Sequence, residues 1–367
     1  MTALRHQEPD RVPRDMGGTT ATGIGLVAHR RLLEHLQVRE ETVLASHRGR
    51  IAKVPESVLR RFNIDTRGVI PGGGDDLGVE NRDGTFADRY GVVRRLPDKD
   101  GNWYVIRSPL SGDISCKDVD VVAKGWRIRS TPSPAEGLDR ALSDLHSNTE
   151  YAVILNLPLG PIQTAHAIRG FQDWLMDVAN DPKLAAHLLG TVLDDWLEGA
   201  SDMVHAAGSN ADVLFYADDV AFQNGPMVSP RSYRQLILPV QKRVLQSLHD
   251  WSDARILYHC CGSVNWLLDN LVDMGVDAIN PLQVNALGMG DTASLKGRYG
   301  DQIAFWGGVD TSEVLPRGNE DDVRAEVRRR VNDLAPGGGY VLAAVHNIQG
   351  DVPPENICAM WDADVSR

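Results

Sequence analysis

Three side chains able to ligate a metal stand in a row within "RILYHCCGSVNWLL", residues 255–268: His259, Cys260 and Cys261. Imidazole and thiolate are donors that zinc prefers, and a zinc site takes three or four protein ligands. No CxxC or HxxxH lies beside them. The preceding run, "ARILYH", reads as a strand, and strand side chains alternate between faces. His259 and Cys261 then share one face. Cys260 takes the other, where it would pack as a small apolar side chain. The third ligand has to come from elsewhere. Cys358 falls in "PPENICAMWDA", a closing helix whose neighbours suggest core packing, and Cys116 falls in an early irregular region. His346, ending the last apolar run in "VLAAVHNIQGDVPPEN", is the remaining candidate. Spacing alone leaves two readings open: a His259/Cys261/His346 zinc site, or a structural histidine bonded to a neighbouring loop.

Other polar residues fall at the ends of apolar runs. In chain order they are Asn156, Asp218 and Asp219, then Asn280 and Gln283, then Asp310. Asp218 or Asp219 could accept a proton, orient a metal ligand or bind a substrate hydroxyl. Asn280, Gln283 and Asp310 could hydrogen-bond a substrate, and Trp306 and Tyr216 could pack on a flat one. Each has a plainer alternative, in helix or loop capping for the polar groups and core packing for the aromatics.

The runs that carry these residues are "YAVILNL" (151–157), "ADVLFYADD" (211–219), "ARILYHCCG" (254–262), "VDAINP" (276–281), "IAFWGGVD" (303–310) and "YVLAAVHN" (340–347). Continuous apolar runs suit parallel strands covered on both faces. Helical patterns alternate with them. Asp181 and Pro182 open a long one as N-cap and first residue, and Leu184, Leu188, Val192, Trp196 and Ala200 form its core stripe. Ser229–Pro230 opens another, and Gly275 stops a third. Such alternation builds βαβ units. "RVPRDMG" (11–17) and "TRGVIPG" (66–72) would bring the strands to eight, giving an α/β fold of the (β/α)8 TIM-barrel type. An open doubly wound sheet is the alternative, but no GxGxxG follows an early strand. Residues 84–113 read as an antiparallel β-hairpin excursion turning at Asp98–Gly101, within one domain spanning 1–367. In a barrel, chemistry gathers at the C-terminal strand ends, where these polar residues fall.

The net charge of −12 argues against a nucleic-acid surface. The longest basic run, Arg328 to Arg330, lies in "NEDDVRAEVRRRVNDLA" and reads as a solvated helix face. No apolar run approaches the ~20 residues that span a bilayer. The charged start "MTALRHQEPDRVPRD" has no signal-like core, and four cysteines do not make a disulfide framework. A cytoplasmic protein with reduced thiols is expected, and a homo-oligomer is compatible with the sequence.

Several segments together resemble the uroporphyrinogen decarboxylase superfamily. "ALRHQEPDRVP" (3–13) is similar to its N-terminal signature, and "IRGFQDWLMDVANDP" (168–182) to its mid-chain helix. "HCCG" fits an H-x-C-G pattern, "GGVDTSEVL" (307–315) a G-G-[IV]-D element, and "GGGYVLAAVHNIQGDVPPENICAM" (337–360) the closing strand, loop and helix. The resemblance implies a (β/α)8 barrel with its site at the C-terminal mouth. The decarboxylases carry an R-x-x-G-R motif that grips porphyrinogen carboxylates, and none follows "RVPRDMGGTTATG" here. The methyltransferase branch, which includes methylcobalamin:coenzyme M methyltransferases, binds zinc through H-x-C and a distant cysteine. His259 and Cys261 match the pair, and His346 stands where that cysteine would be. One thiolate with two imidazoles leaves zinc more positive than two thiolates do, and so a better Lewis acid toward oxygen.

The resemblance therefore implies a zinc-dependent methyltransferase moving a methyl group between a small, O-methyl substrate and a corrinoid (cobalamin) carried by a partner protein. "DLHSNT" (144–149) misses the corrinoid-binding pattern D-x-H-x-x-G because Thr149 replaces the glycine, so the corrinoid is assigned to the partner. The alternatives are a metal-free decarboxylase-like lyase using Asp218 or Asp219, and a non-catalytic ligand-binding barrel.

Overall fold

The computed structural model describes residues 1–71, 79–97, 101–126, 133 and 135–364. Seven strands form one parallel sheet in which each pairs with the next along the chain: Thr66–Val69, Ala152–Asn156, Val213–Ala217, Arg255–His259, Ala278–Leu282, Ala304–Val309 and Tyr340–Ala344. The gap between first and last is filled by the segment around Arg14. The Asp15 amide donates to Leu342 (2.9 Å) and the Leu342 amide to Pro13 (2.8 Å), while the Asp65 amide donates to Arg14 (2.9 Å). This irregular eighth stave curls the sheet into the expected TIM-barrel form. Both early segments thus supply staves. Gly72, the end of the second, lies outside the described residues.

The strands bury both faces, as their unbroken apolar runs require. Ile154, Phe215, Leu257, Ala278, Ala304, Trp306 and Val341 point into the barrel. Leu214, Tyr216, Ile256, Tyr258, Ile279, Phe305 and Leu342 face the helices. The helix Pro182–Ala207 begins as its sequence predicts, the Asp181 side chain accepting from the Leu184 amide. Its stripe of Leu188, Val192, Trp196 and Ala200 is buried, each large side chain contributing roughly 1.5–3 kcal/mol. Among the described residues no helix is long and apolar enough to cross a membrane.

Two expectations need correction, and two features were missed. The excursion is not a lone hairpin but a four-stranded antiparallel meander, Val79–Glu80, Thr85–Ala87, Val93–Arg95 and Tyr104–Arg107. The expected pairing of its last two strands is present, although residues 98–100 of their turn lie outside the described residues. A second turn was missed at Asp88, whose carboxylate accepts from the Tyr90 and Val92 amides. A small pairing of Leu44–Ser46 with Ile51–Ala52 was also missed. Finally, the basic run is not wholly solvated. Arg328 and Arg329 are exposed, whereas Arg330 is buried and bonded to Glu326 and Thr292.

Candidate metal centre

His259 ends its strand on the inward face, continuing Leu257, and Cys261 follows on the same side. Cys260 points the other way and is fully buried, its sulfur accepting from the Val220 amide at 3.3 Å. The period-two reading of this stretch therefore holds.

His346 reaches the same place from the loop after the last strand. Its neighbour Asn347 fixes that loop, accepting from the Gly23 amide (2.6 Å) and donating to the Thr20 carbonyl (2.9 Å). The ligating atoms of His259, Cys261 and His346 all lie within 4.8 Å of one another. Cys261 Sγ and His259 Nε2 are 3.4 Å apart. Donors around a tetrahedral zinc stand roughly 3.3–3.8 Å apart, given metal–ligand lengths near 2.0–2.3 Å. The donor set fits such an ion after small movements of the side chains.

The surroundings prepare these ligands. Asn280 Nδ2 donates to the Trp306 carbonyl, which turns its Oδ1 toward His259 Nδ1 at 2.6 Å. His259 is thereby held with its proton on Nδ1 and its Nε2 lone pair toward Cys261, as a metal ligand needs. Burial, with His259 adding to it, pushes His346 down to about 4, so this imidazole is neutral near pH 7. Burial, with the nearby charge of Asp219, pushes the Cys261 thiol well up. A bound cation would reverse that shift, because coordination favours the thiolate.

Two further bonds shape the turn. The Cys261 amide donates to Asp219 Oδ1 (2.7 Å) and the Gly262 amide to Gln283 Oε1 (2.6 Å). Gly262 has φ +98, and a Cβ there would stand 2.6 Å from the Phe222 carbonyl oxygen, so the last residue of "HCCG" has to be glycine.

The remaining candidates turn out to be supports. Asp218 is fully buried and spends both oxygens on the Ile162 and Gln163 amides and the Tyr216 hydroxyl. It caps the helix Pro161–Arg169 from a neighbouring strand, and burial raises it to about 7. A Cβ on Gly160 would run into this carboxylate at 2.2 Å. Asp218, expected as a catalytic residue, serves in this structure as a helix cap, and Tyr216 as a donor on that cap. Asp310 accepts from the Ser312 amide (2.7 Å) and orders its own loop. Gln283 and Asn280 act on Gly262 and His259. Trp306 donates its indole N–H to Asp15 (2.8 Å) and lines a cavity with Val213 and Val341 at the opposite end of the barrel, which rules out its role as a substrate platform. Asp219 alone of the two aspartates reaches the mouth, bonded to Cys261 and to Gln163 Nε2 (2.8 Å).

A groove of about 780 Å³ leads to His346, walled by Trp103, Val105 and Arg107 of the excursion and by Gln163, His166 and Phe171. Gln163 was missed in the sequence. It occupies the first turn of a helix, in "PLGPIQTAHAIRG", and only a strand-end loop folding back toward "DD" brings it to the mouth. The excursion was legible as β structure, but not as a wall of the site.

The family described as "Uroporphyrinogen decarboxylase (URO-D)" matches residues 141–364. A uroporphyrinogen decarboxylase of Thioalkalivibrio sulfidiphilus is 28% identical over 189 residues, 50% of this chain and 49% of that protein. The methylcobamide:CoM methyltransferase MtaA of Methanosarcina barkeri is 28% identical over 204 residues, 55% and 54% of the two chains. The chain thus spans about half the length of the curated relatives it matches. The solved structure of a methyltransferase from Methanosarcina mazei has the same fold, with a TM-score of 0.66 at 17% identity over 99% of this chain and 96% of that one. Relatives named for two different reactions are equally similar, so kinship does not choose between them. The chain belongs to the uroporphyrinogen decarboxylase (URO-D) family.

Proposed function

We propose that the protein is a zinc-dependent methyltransferase that moves a methyl group between a small O-methyl substrate and a corrinoid carried by a partner protein. The observation that carries this reading is the convergence of His259, Cys261 and His346 at the barrel mouth. These three residues would hold the ion, which would supply Lewis acidity toward the substrate oxygen. Asn280 holds the His259 ring and Asp219 the Cys261 backbone, so small side-chain movements would complete the site. Three protein ligands leave a position for substrate, as catalytic zinc sites do. The groove beside His346 gives that position its access.

The exposed edge strand Tyr104–Arg107 carries Tyr104, Val105 and Ile106 on the excursion that walls this groove, beside the path a partner's corrinoid would take. Methyl transfer is one of the two reactions for which the chain's relatives are named. The four thiols are free, in keeping with a reducing, cytoplasmic setting. The lyase reading would need Asp218 or Asp219 as a proton donor at the mouth; Asp218 spends its oxygens on a helix cap, and those of Asp219 accept from the Cys261 amide and Gln163 Nε2.

Elemental analysis of the wild type and of His346→Ala tests the proposal. About one zinc per chain in the first and little in the second is the expected result. A wild type that retains no zinc and cannot be loaded with it overturns the proposal.

A further inference from the structure

The groove beside His346 differs in charge from the protein as a whole. The chain carries a net charge of −12, yet among the described residues no Asp or Glu lines the groove. Arg48, Arg94 and Arg107 line it, together with the imidazoles of His166 and His346. Arg94 is buried and neutralised by Asp88 at 2.6 Å. Arg107 is exposed and makes no ion pair among the described residues. A cleft lined by one sign of charge focuses the field on its interior and draws in the opposite charge.

His166 supplies a second observation. Its ring is partly buried, packed edge-on against Phe171 with centroids 5.2 Å apart, and neither ring nitrogen has a hydrogen-bond partner among the described residues. Burial first and the charge of Arg48 second push it down to about 4, so near pH 7 it is a neutral imidazole with one N–H to give. The wall that carries Arg107 is fastened beside it. Ser108 Oγ donates to the Ala167 carbonyl at 2.7 Å, which joins the residue after Arg107 to the residue after His166. The Leu110 amide donates to the Ile168 carbonyl at 3.1 Å and continues the seam. An N–H without a partner, beside guanidinium groups, is a set of donors suited to a carboxylate.

We propose that the groove selects substrates bearing a carboxylate, received by the His166 N–H and the guanidinium groups of Arg48 and Arg107, with the reacting end toward His346. The role of that reacting end rests on the metal reading above, whereas the selection by charge does not need the ion. Val105 and Phe171 on the same walls suit a hydrocarbon body between the two ends.

Calorimetric titration of the full chain with meta- and para-methoxybenzoate, and with the matching methoxybenzamides, tests the inference. The amides keep the shape and lose the charge. The affinity ratio is read within each protein, and zinc content is measured on the same samples. In the wild type the better carboxylate is expected to bind about tenfold more tightly than its amide at low salt, the effect of about one charge-assisted hydrogen bond, and less so at high salt. In Arg107→Gln and in His166→Phe the ratio is expected to fall to about threefold or less. Equal affinities in the wild type, or no binding of either carboxylate, overturn the inference. A ratio that survives in both variants also overturns it, because the carboxylate then sits elsewhere, a metal included. Zinc without a carboxylate preference leaves the metal reading standing alone; a preference lost in the variants, in protein that takes up no zinc, leaves this inference standing alone.

Discussion

Inside the barrel, Asp15 is as buried as any residue of the protein, and every bond it makes stays within the fold. One oxygen accepts from the Gly18 amide and the Thr66 hydroxyl, the other from the Trp306 indole. At the mouth, Asp219 accepts from Cys261 and from Gln163, but the bonds do not close. Gln163 Oε1 has no partner, and one ligating atom each of His259, Cys261 and His346 gathers within 4.8 Å of the others. Both regions bury polar groups where water is scarce. The interior satisfies them and so joins three staves of the barrel, whereas the mouth leaves lone pairs converging on one point. Burial of a polar residue thus marks a site only when its hydrogen bonds are incomplete.

The contrast is broken most directly by His346→Ala. Zinc affinity is expected to fall by more than about 100-fold, beyond the usual effect of an outer partner, with metal content as the readout. Asp15→Ala should act oppositely. It leaves the Trp306 and Thr66 donors without their acceptor and is expected to cost about 2–3 kcal/mol in denaturant unfolding, with zinc stoichiometry unchanged. Loss of zinc from Asp15→Ala with unaltered stability would invert the comparison.

Asn280→Ala is a smaller test and lies between the two regions. It frees the His259 ring, and zinc affinity is expected to fall about tenfold, measured by competition with a chelator. The smallest effect concerns His166 on the groove wall. Burial first, and the charge of Arg48 second, push this imidazole down to about 4 from 6.5. The unfolded chain then binds a proton that the folded one refuses, so stability is lost as pH falls from 6.5 toward 4. His166→Phe removes that contribution, and the urea midpoint should decline less steeply over this window. An unchanged slope would mean that His166 is protonated in the native groove.

The sequence by itself determined the strands and which two side chains of "HCCG" share a face. Six of eight staves follow from apolar runs long enough to be buried on both faces, two early segments complete the count, and alternation separated His259 and Cys261 from Cys260, because a strand allows no other arrangement. Helix starts at Asp181 and Ser229 were equally legible, since a cap acts on amides two or three residues away. Tertiary structure decided which strand-end polar groups serve chemistry. Asp218 and Asp219 are neighbours in sequence and face opposite sides of the chain: one caps a helix, the other reaches the mouth. Asn280 and Gln283 were placed at the correct end of the barrel, but their partners, His259 and Gly262, come from the adjacent strand and could not be read from local spacing. His346 joined the pair because barrel closure brings the last strand's loop over the mouth, against the segment around Gly23. Gln163 shows the limit most clearly. Nothing within its own helix distinguishes it, and its place at the mouth depends on a carboxylate 56 residues away that holds its amide.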